Sequence, residues 1–139
     1  MNLYLDTSSI IKLYLVEPGA EMVLALIDYA VKRTSSVVAY AESRSALARA
    51  SAGRRLSRAE YQLALESFER DWNTIETIDV SALLAPLAGA LAETHRLRGF
   101  DAIHLASALT LQTELAEPIT FSASDDRLMT AAKAEGLTV

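Results

Sequence analysis

The chain has 139 residues, 51% of them hydrophobic, and no cysteine, which suits one compact domain closed without disulfides or thiolate-bound metal. A formal net charge of −5 argues, as an average, against a nucleic-acid partner. Asp6 and Lys12 interrupt the first apolar run and no apolar stretch has the length a bilayer needs, so neither a secretory signal nor a membrane span is expected. The expectation is a soluble, cytoplasmic protein.

In chain order, Asn2 to Asp6 contains Leu3, Tyr4 and Leu5 in a row, the continuous apolar run of a strand buried on both faces of a parallel sheet. Asp6, Thr7, Ser8 and Ser9 are helix-capping residues, and a helical pattern begins at Ile10. Pro18 and Gly19 break it, and Ala20 to Lys32 reads as a second helix. Thr34 to Val38 is the next strand candidate, followed by a helix from about Ala39 to Ala52 that Gly53 ends. Ser57 and Glu60 form a capping-box pattern opening a helix to about Trp72. Ile75 to Asp79 reads as a strand, Ser81 to Arg98 as a helix weakened early by Pro86 and Gly89, and Asp101 to Glu114 as another helix. Ile119 to Ser122 is a fourth strand, Asp125 to Glu135 a last helix, and Leu137 to Val139 a fifth strand.

Strands alternating with helices imply an α/β fold, a parallel sheet covered by helices on both faces. Ligands in such folds sit beyond the carboxyl ends of the strands. Asp6 falls after strand one, Glu42 in the first turn or so after strand two, and Asp125 and Asp126 after strand four, while Asp101 sits at a helix start. Taken singly, Asp6, Asp101 and Asp125 read equally well as helix caps, and Glu42 as an exposed helical glutamate. Their joint placement points elsewhere. Two carboxylates at about 5 Å repel by roughly 3 kcal/mol at an effective dielectric near 20, so a cluster of them needs a cation. With no thiol and few histidines the donors are oxygens, which suits Mg²⁺ or Mn²⁺ and hydrolysis of a phosphodiester without a histidine base. Between Ser43 and Ala59 the chain carries five arginines and no acid, a local basic segment that is either a solvated helix face or an RNA contact.

These residues resemble the PIN-domain ribonucleases, and within them the VapC-type toxins of VapBC toxin–antitoxin pairs. The resemblance lies in Leu5 to Ser8 with Ile11 to Tyr14, in Ser36 through Glu42 and Leu47, in Arg98 through Ala108, and in Phe121 through Leu128. It covers nearly the whole chain. It implies a single PIN domain over residues 1–139 with a five-stranded parallel sheet, and a Mg²⁺- or Mn²⁺-dependent endoribonuclease. It also implies a homodimer and a VapB-like antitoxin that covers the active site and grips the helical pair Ala39 to Trp72. By position, Asp6, Glu42, Asp101 and Asp125 would be the metal-binding acids, with Ser8 a hydroxyl nearby. Asp125 is preferred to Asp126 because Leu128 then falls at the family's leucine, three residues on. Arg44 and Arg49 share a helix with Glu42 and would hold RNA phosphates or face the antitoxin. His104, one helical turn from Asp101, is expected to pack rather than to ligate. Rival readings are a PIN-like module that binds RNA or a partner without cutting, and a phosphoacceptor receiver domain. The second lacks its acidic pair, since Asp6 stands alone, and its late lysine, since Lys133 lies within a helix.

Overall fold

The structure, a computed structural model, describes residues 1–139. Four strands, β1 (Asn2–Leu5), β2 (Lys32–Ser36), β3 (Glu76–Ile78) and β4 (Ile119–Ser122), form one all-parallel sheet in the order β3-β2-β1-β4. The register pairs Tyr4 with Thr34 on one side and with Phe121 on the other. β1 is thus hydrogen-bonded along both edges, and Leu3, Tyr4 and Leu5 are fully buried. Because successive side chains alternate across a strand, β1 supplies both halves of the core. Leu3 and Leu5 join Ile10, Leu47 and Phe68 on one face, and Tyr4 joins Leu105, Phe121 and Leu128 on the other.

The first face is covered by α1 (Thr7–Ile10) with a 3-10 turn at Ile11–Leu13, α2 (Ala20–Tyr29), α3 (Val38–Ala52) and α4 (Arg58–Trp72). α3 and α4 form an antiparallel hairpin closed around Phe68, whose ring lies within 6 Å of those of Tyr14 (5.7 Å), Tyr40 (5.6 Å) and Trp72 (5.7 Å). The expected capping box is present. Ser57 Oγ accepts from the Glu60 N–H and Glu60 accepts from the Ser57 N–H. The second face carries α5 (Leu84–His95), α6 (Gly99–Leu115) and α7 (Asp126–Ala134). Pro86 falls in the first turn of α5, where its missing N–H would have had no helical partner. No helix is long and apolar enough to cross a membrane.

Three expectations are corrected. The sheet has four strands, not five. Leu137 N–H is held by the Ala132 carbonyl at the end of α7, so only Thr138 reaches β4, donating to the Ile119 carbonyl and accepting from Phe121 N–H in one isolated parallel bridge. β2 lies two residues earlier than its apolar residues suggest, because Thr34, Ser35 and Ser36 are the buried ones and Val37 and Val38 turn into α3. α5 stops at His95, since Arg96 takes a left-handed conformation (φ 54°), and α6 starts at Gly99, which sets Asp101 inside its first turn.

Candidate active site

The carboxyl end of β1, the first turns of α3 and the N-terminal part of α6 meet at one cleft, and the β4–α7 turn borders a hollow beside it. Asp6 leaves β1 in extended conformation (φ −77°, ψ 172°) and caps α1. Its Oδ1 accepts from Ser9 N–H at 3.0 Å and from Ser8 Oγ at 2.6 Å, and its second oxygen is left free of those bonds. At 4% exposure, burial pushes the Asp6 carboxyl above the ordinary carboxylate range. Ser8, His104 and the Ser9 amide pull the other way, and nearby Asp101 adds to the rise. Ser8 Oγ also accepts from Ser124 N–H at 2.9 Å. That hydroxyl therefore ties Asp6 to the β4–α7 turn that carries Asp125.

Asp101, half-buried in the first turn of α6, is likewise raised, by burial first and then by the negative charges of Asp125 and Glu42. Asp125 caps α7, its Oδ1 accepting from Leu128 N–H at 2.8 Å. Asp125 and Asp101 line one polar hollow, and the Asp125 charge adds to the rise at Asp101. Asp125 and Asp126 are both exposed, and both line the hollow next to Asp101.

Glu42 is held differently. Burial alone would raise its carboxyl, but hydrogen bonds from His104 and Thr7 outweigh it and hold the group below the ordinary range. Thr7 Oγ1 donates to Oε1 at 2.7 Å, and His104 Nε2 lies 2.8 Å from the same oxygen. Behind the imidazole, Tyr4 Oη is 3.0 Å from Nδ1. Burial raises the Tyr4 phenol far above its usual range, so the phenol keeps its proton, and the Glu42 carboxylate can only accept from Nε2. Nε2 then carries the hydrogen that Glu42 accepts. The chain Tyr4, His104, Glu42 thus links β1, α6 and α3. It fixes Oε1 of Glu42 and leaves Oε2 for the cleft.

The cleft is lined by Asp6, Thr7, Ser8, Glu42, Arg49, Phe100, Asp101 and His104. A second, strongly polar hollow shares Asp101 with it and adds Arg96, Arg98, Asp125, Asp126 and Arg127. No three acids or histidines converge closely enough to make a metal cage of protein atoms alone. The donor chemistry nevertheless fits a small hard cation that keeps part of its water shell. Asp6, Glu42 and Asp125 each commit one oxygen to the protein, which leaves the other, and burial first, then neighbouring acids, makes negative charge at Asp6 and Asp101 costly without a cation.

The two arginines of α3 part company. Arg49 lines the cleft, donating to Ser45 Oγ at 2.7 Å. Arg44 faces α4, where its Nη1 meets Glu69 Oε1 at 2.6 Å and Tyr40 Oη at 3.0 Å; it is not among the residues that line the cleft. Thr7 and Phe100 are cleft residues to which the sequence assigned no role. Thr7 meets Glu42 across 35 positions, and nothing local signals that contact.

The PIN domain family matches residues 3–133. Ribonuclease VapC45 of Mycobacterium tuberculosis (strain CDC 1551 / Oshkosh) is 37% identical over 137 residues, covering 98% of this chain and 92% of that protein. Ribonuclease VapC49 of strain ATCC 25618 / H37Rv gives the same figures, and Ribonuclease VapC46 of that strain is 34% identical over 99% of this chain and 95% of that protein. Among solved structures, the crystal structure of FitAcB from Neisseria gonorrhoeae matches 99% of this chain and 95% of that one with a TM-score of 0.69. At 20% identity that likeness speaks for the fold alone. This chain belongs to the PIN domain family, among its VapC-type members.

Proposed function

We propose that the chain is an endoribonuclease, the toxin of a VapBC-type pair, acting with Mg²⁺ or Mn²⁺. The observation that carries the metal-dependent part is that Asp6, Glu42 and Asp101, from three separate chain segments, line one cleft while Asp125 lines the hollow that shares Asp101 with it, the Asp6 and Asp101 carboxyls being raised by burial first and by neighbouring acids second. Asp6, Glu42, Asp101 and Asp125 would supply oxygens to the cation. When bound, the cation supplies Lewis-acid chemistry, acidifying water and neutralising charge that develops on the phosphate. Ser8 orients Asp6, and Thr7 and His104 orient Glu42. Both ring nitrogens of His104 are already engaged, one with Tyr4 and one with Glu42, which leaves the ring to hold the carboxylate rather than to act as base.

The same reading takes residues 1–139 as one catalytic domain in the cytoplasm, working as a homodimer with RNA as substrate and a VapB-like antitoxin as inhibitor. The α3–α4 hairpin, the place where such antitoxins grip, leaves Leu63 64% exposed, consistent with a partner there. The test is cleavage of total RNA with Mg²⁺, with Mn²⁺ and with EDTA, followed by mapping of the ends. Discrete cuts that appear with metal and vanish with EDTA are expected. Undiminished cleavage by rigorously metal-free protein would contradict the proposal.

His104 gives a separate test. His104→Leu keeps the buried volume and removes the donor to Glu42; apparent Mn²⁺ affinity is expected to fall about 10- to 100-fold, the usual cost of losing a group that orients a metal ligand. His104→Gln can place an amide N–H near the Nε2 position and is expected to recover most of that loss. Isothermal titration with Mn²⁺ reads both. Unchanged affinity in His104→Leu would leave the histidine a packing role only.

A further inference from the structure

The chain has three phenylalanines, and two of them, Phe68 and Phe121, are buried to within 1%. The third, Phe100, is 56% exposed. It stands in the first turn of α6, immediately before Asp101, and its ring borders the same cleft as Asp6 and Glu42. Its surroundings are charged rather than apolar, which is the wrong setting for the centre of a protein interface, where charged residues are depleted. Arg49 lines the same cleft, and Arg98, two residues before the ring, lines the adjoining hollow with Arg96 and Arg127. None of these four arginines has a carboxylate within 4.0 Å, although three aspartates share the hollow with three of them. Arg127 donates instead to the Arg96 carbonyl at 3.1 Å.

An exposed ring with guanidinium groups nearby that have no carboxylate partner has the chemistry of a single-stranded nucleic-acid site. A base stacks on the ring while phosphates on either side meet the arginines. We propose that Phe100 is a substrate-positioning residue: it stacks the base next to the phosphodiester held at Asp101, with Arg49 and Arg98 holding backbone phosphates on either side. The proposal rests on the ribonuclease reading and narrows it. A base must leave its own stack to lie on Phe100, so the substrate at the cut is unpaired. The arginines also supply the attraction that the protein's net negative charge lacks.

The experiment measures binding in EDTA, where cleavage is off, of the parent and its variants to a fluorescent single-stranded RNA containing a mapped cut site. The same RNA is also made with abasic nucleotides at successive positions. Phe100→Ala is expected to bind about 10-fold more weakly, a typical loss for one stacked base, with its salt dependence unchanged. Arg98→Ala is expected to lower the salt dependence by about one counterion. Phe100→Trp is expected to bind like the parent, with indole fluorescence quenched by RNA. One abasic position beside the cut should weaken the parent about as much as Phe100→Ala does, and should cost Phe100→Ala nothing further. Parent-like binding by Phe100→Ala, or no abasic position whose cost the variant cancels, would overturn the proposal. So would a loss of self-association in Phe100→Ala, which would assign the ring to a second copy of the chain. If the parent itself neither binds nor cuts RNA, the ribonuclease reading falls; if the parent cuts and Phe100→Ala binds as the parent does, this inference alone falls.

Discussion

Asp101→Asn is expected to lower RNA cleavage by about 10²- to 10⁴-fold at saturating metal, and Asp6→Asn to do the same. A metal centre is worth several kcal/mol of transition-state stabilisation, and each 1.4 kcal/mol is about tenfold in rate. A neutral amide neither attracts the cation nor balances its charge. Folding should respond in the opposite direction. Both carboxyls are raised in the fold above their ordinary value of 3.8, so the folded protein binds these protons more tightly than the unfolded chain does. The metal-free parent is therefore most stable, as far as these groups are concerned, below pH 3.8, and loses that stability as pH rises through the raised folded values. The cost grows as pH rises above 3.8, and asparagine removes it. Asparagine also keeps the oxygen that accepts from Ser8 and from Ser9 N–H, so the cap of α1 survives. Denaturation midpoints in EDTA at pH 7 should be unchanged or higher for both variants, and the gap from the parent should close at acid pH. A large loss of stability would mean that the acids serve the fold and not a cation.

The second large effect separates two neighbouring aspartates. Asp125→Asn is expected to cut cleavage by about 10²-fold or more on the same arithmetic, while Asp126→Asn should stay within a few-fold of the parent. The charge of Asp125 raises the Asp101 carboxyl, whereas Asp126 is not among the groups that do so. Asparagine preserves the bond from Leu128 N–H that starts α7, so Asp125→Asn should cost little stability. Asp125→Ala, which loses that bond, should cost about 1 kcal/mol. Rates and urea midpoints for the three variants check this. Loss of cleavage in Asp126→Asn with parent-like rates in Asp125→Asn would exchange their roles.

Much of this site was legible in the residues because the acids sit at element boundaries, and boundaries are written in local chemistry. Leu3 to Leu5 announced a central strand, and the capping residues after it placed Asp6 at its end. What was not legible depended on contacts across the sheet. β2 was misplaced because Thr34, Ser35 and Ser36 look like surface residues; they tolerate burial since the sheet and neighbouring backbone satisfy them, as when Ser35 Oγ donates to the Leu5 carbonyl at 2.6 Å. A fifth strand was expected from Leu137 to Val139, but the end of α7 claims the Leu137 amide. Arg44 and Arg49 share a helix but not a face. At about 100° per residue, five positions separate the two side chains by about 140°, whereas the seven from Glu42 to Arg49 return to nearly the same face. The spacing held that information. The Tyr4, His104, Glu42 chain did not show in it, because its members come from three elements joined only by the fold.

The most direct test of a metal-dependent ribonuclease is the initial rate of cleavage of one defined RNA against free Mn²⁺, for chelated parent protein and for Asp101→Asn. The parent is expected to show no cleavage without metal and a rate that rises to saturation. The variant is expected to need more Mn²⁺ and to remain at least about 100-fold slower at every concentration. A parent rate independent of Mn²⁺, or a variant curve that overlays the parent's, would contradict the assignment of these carboxylates to catalysis.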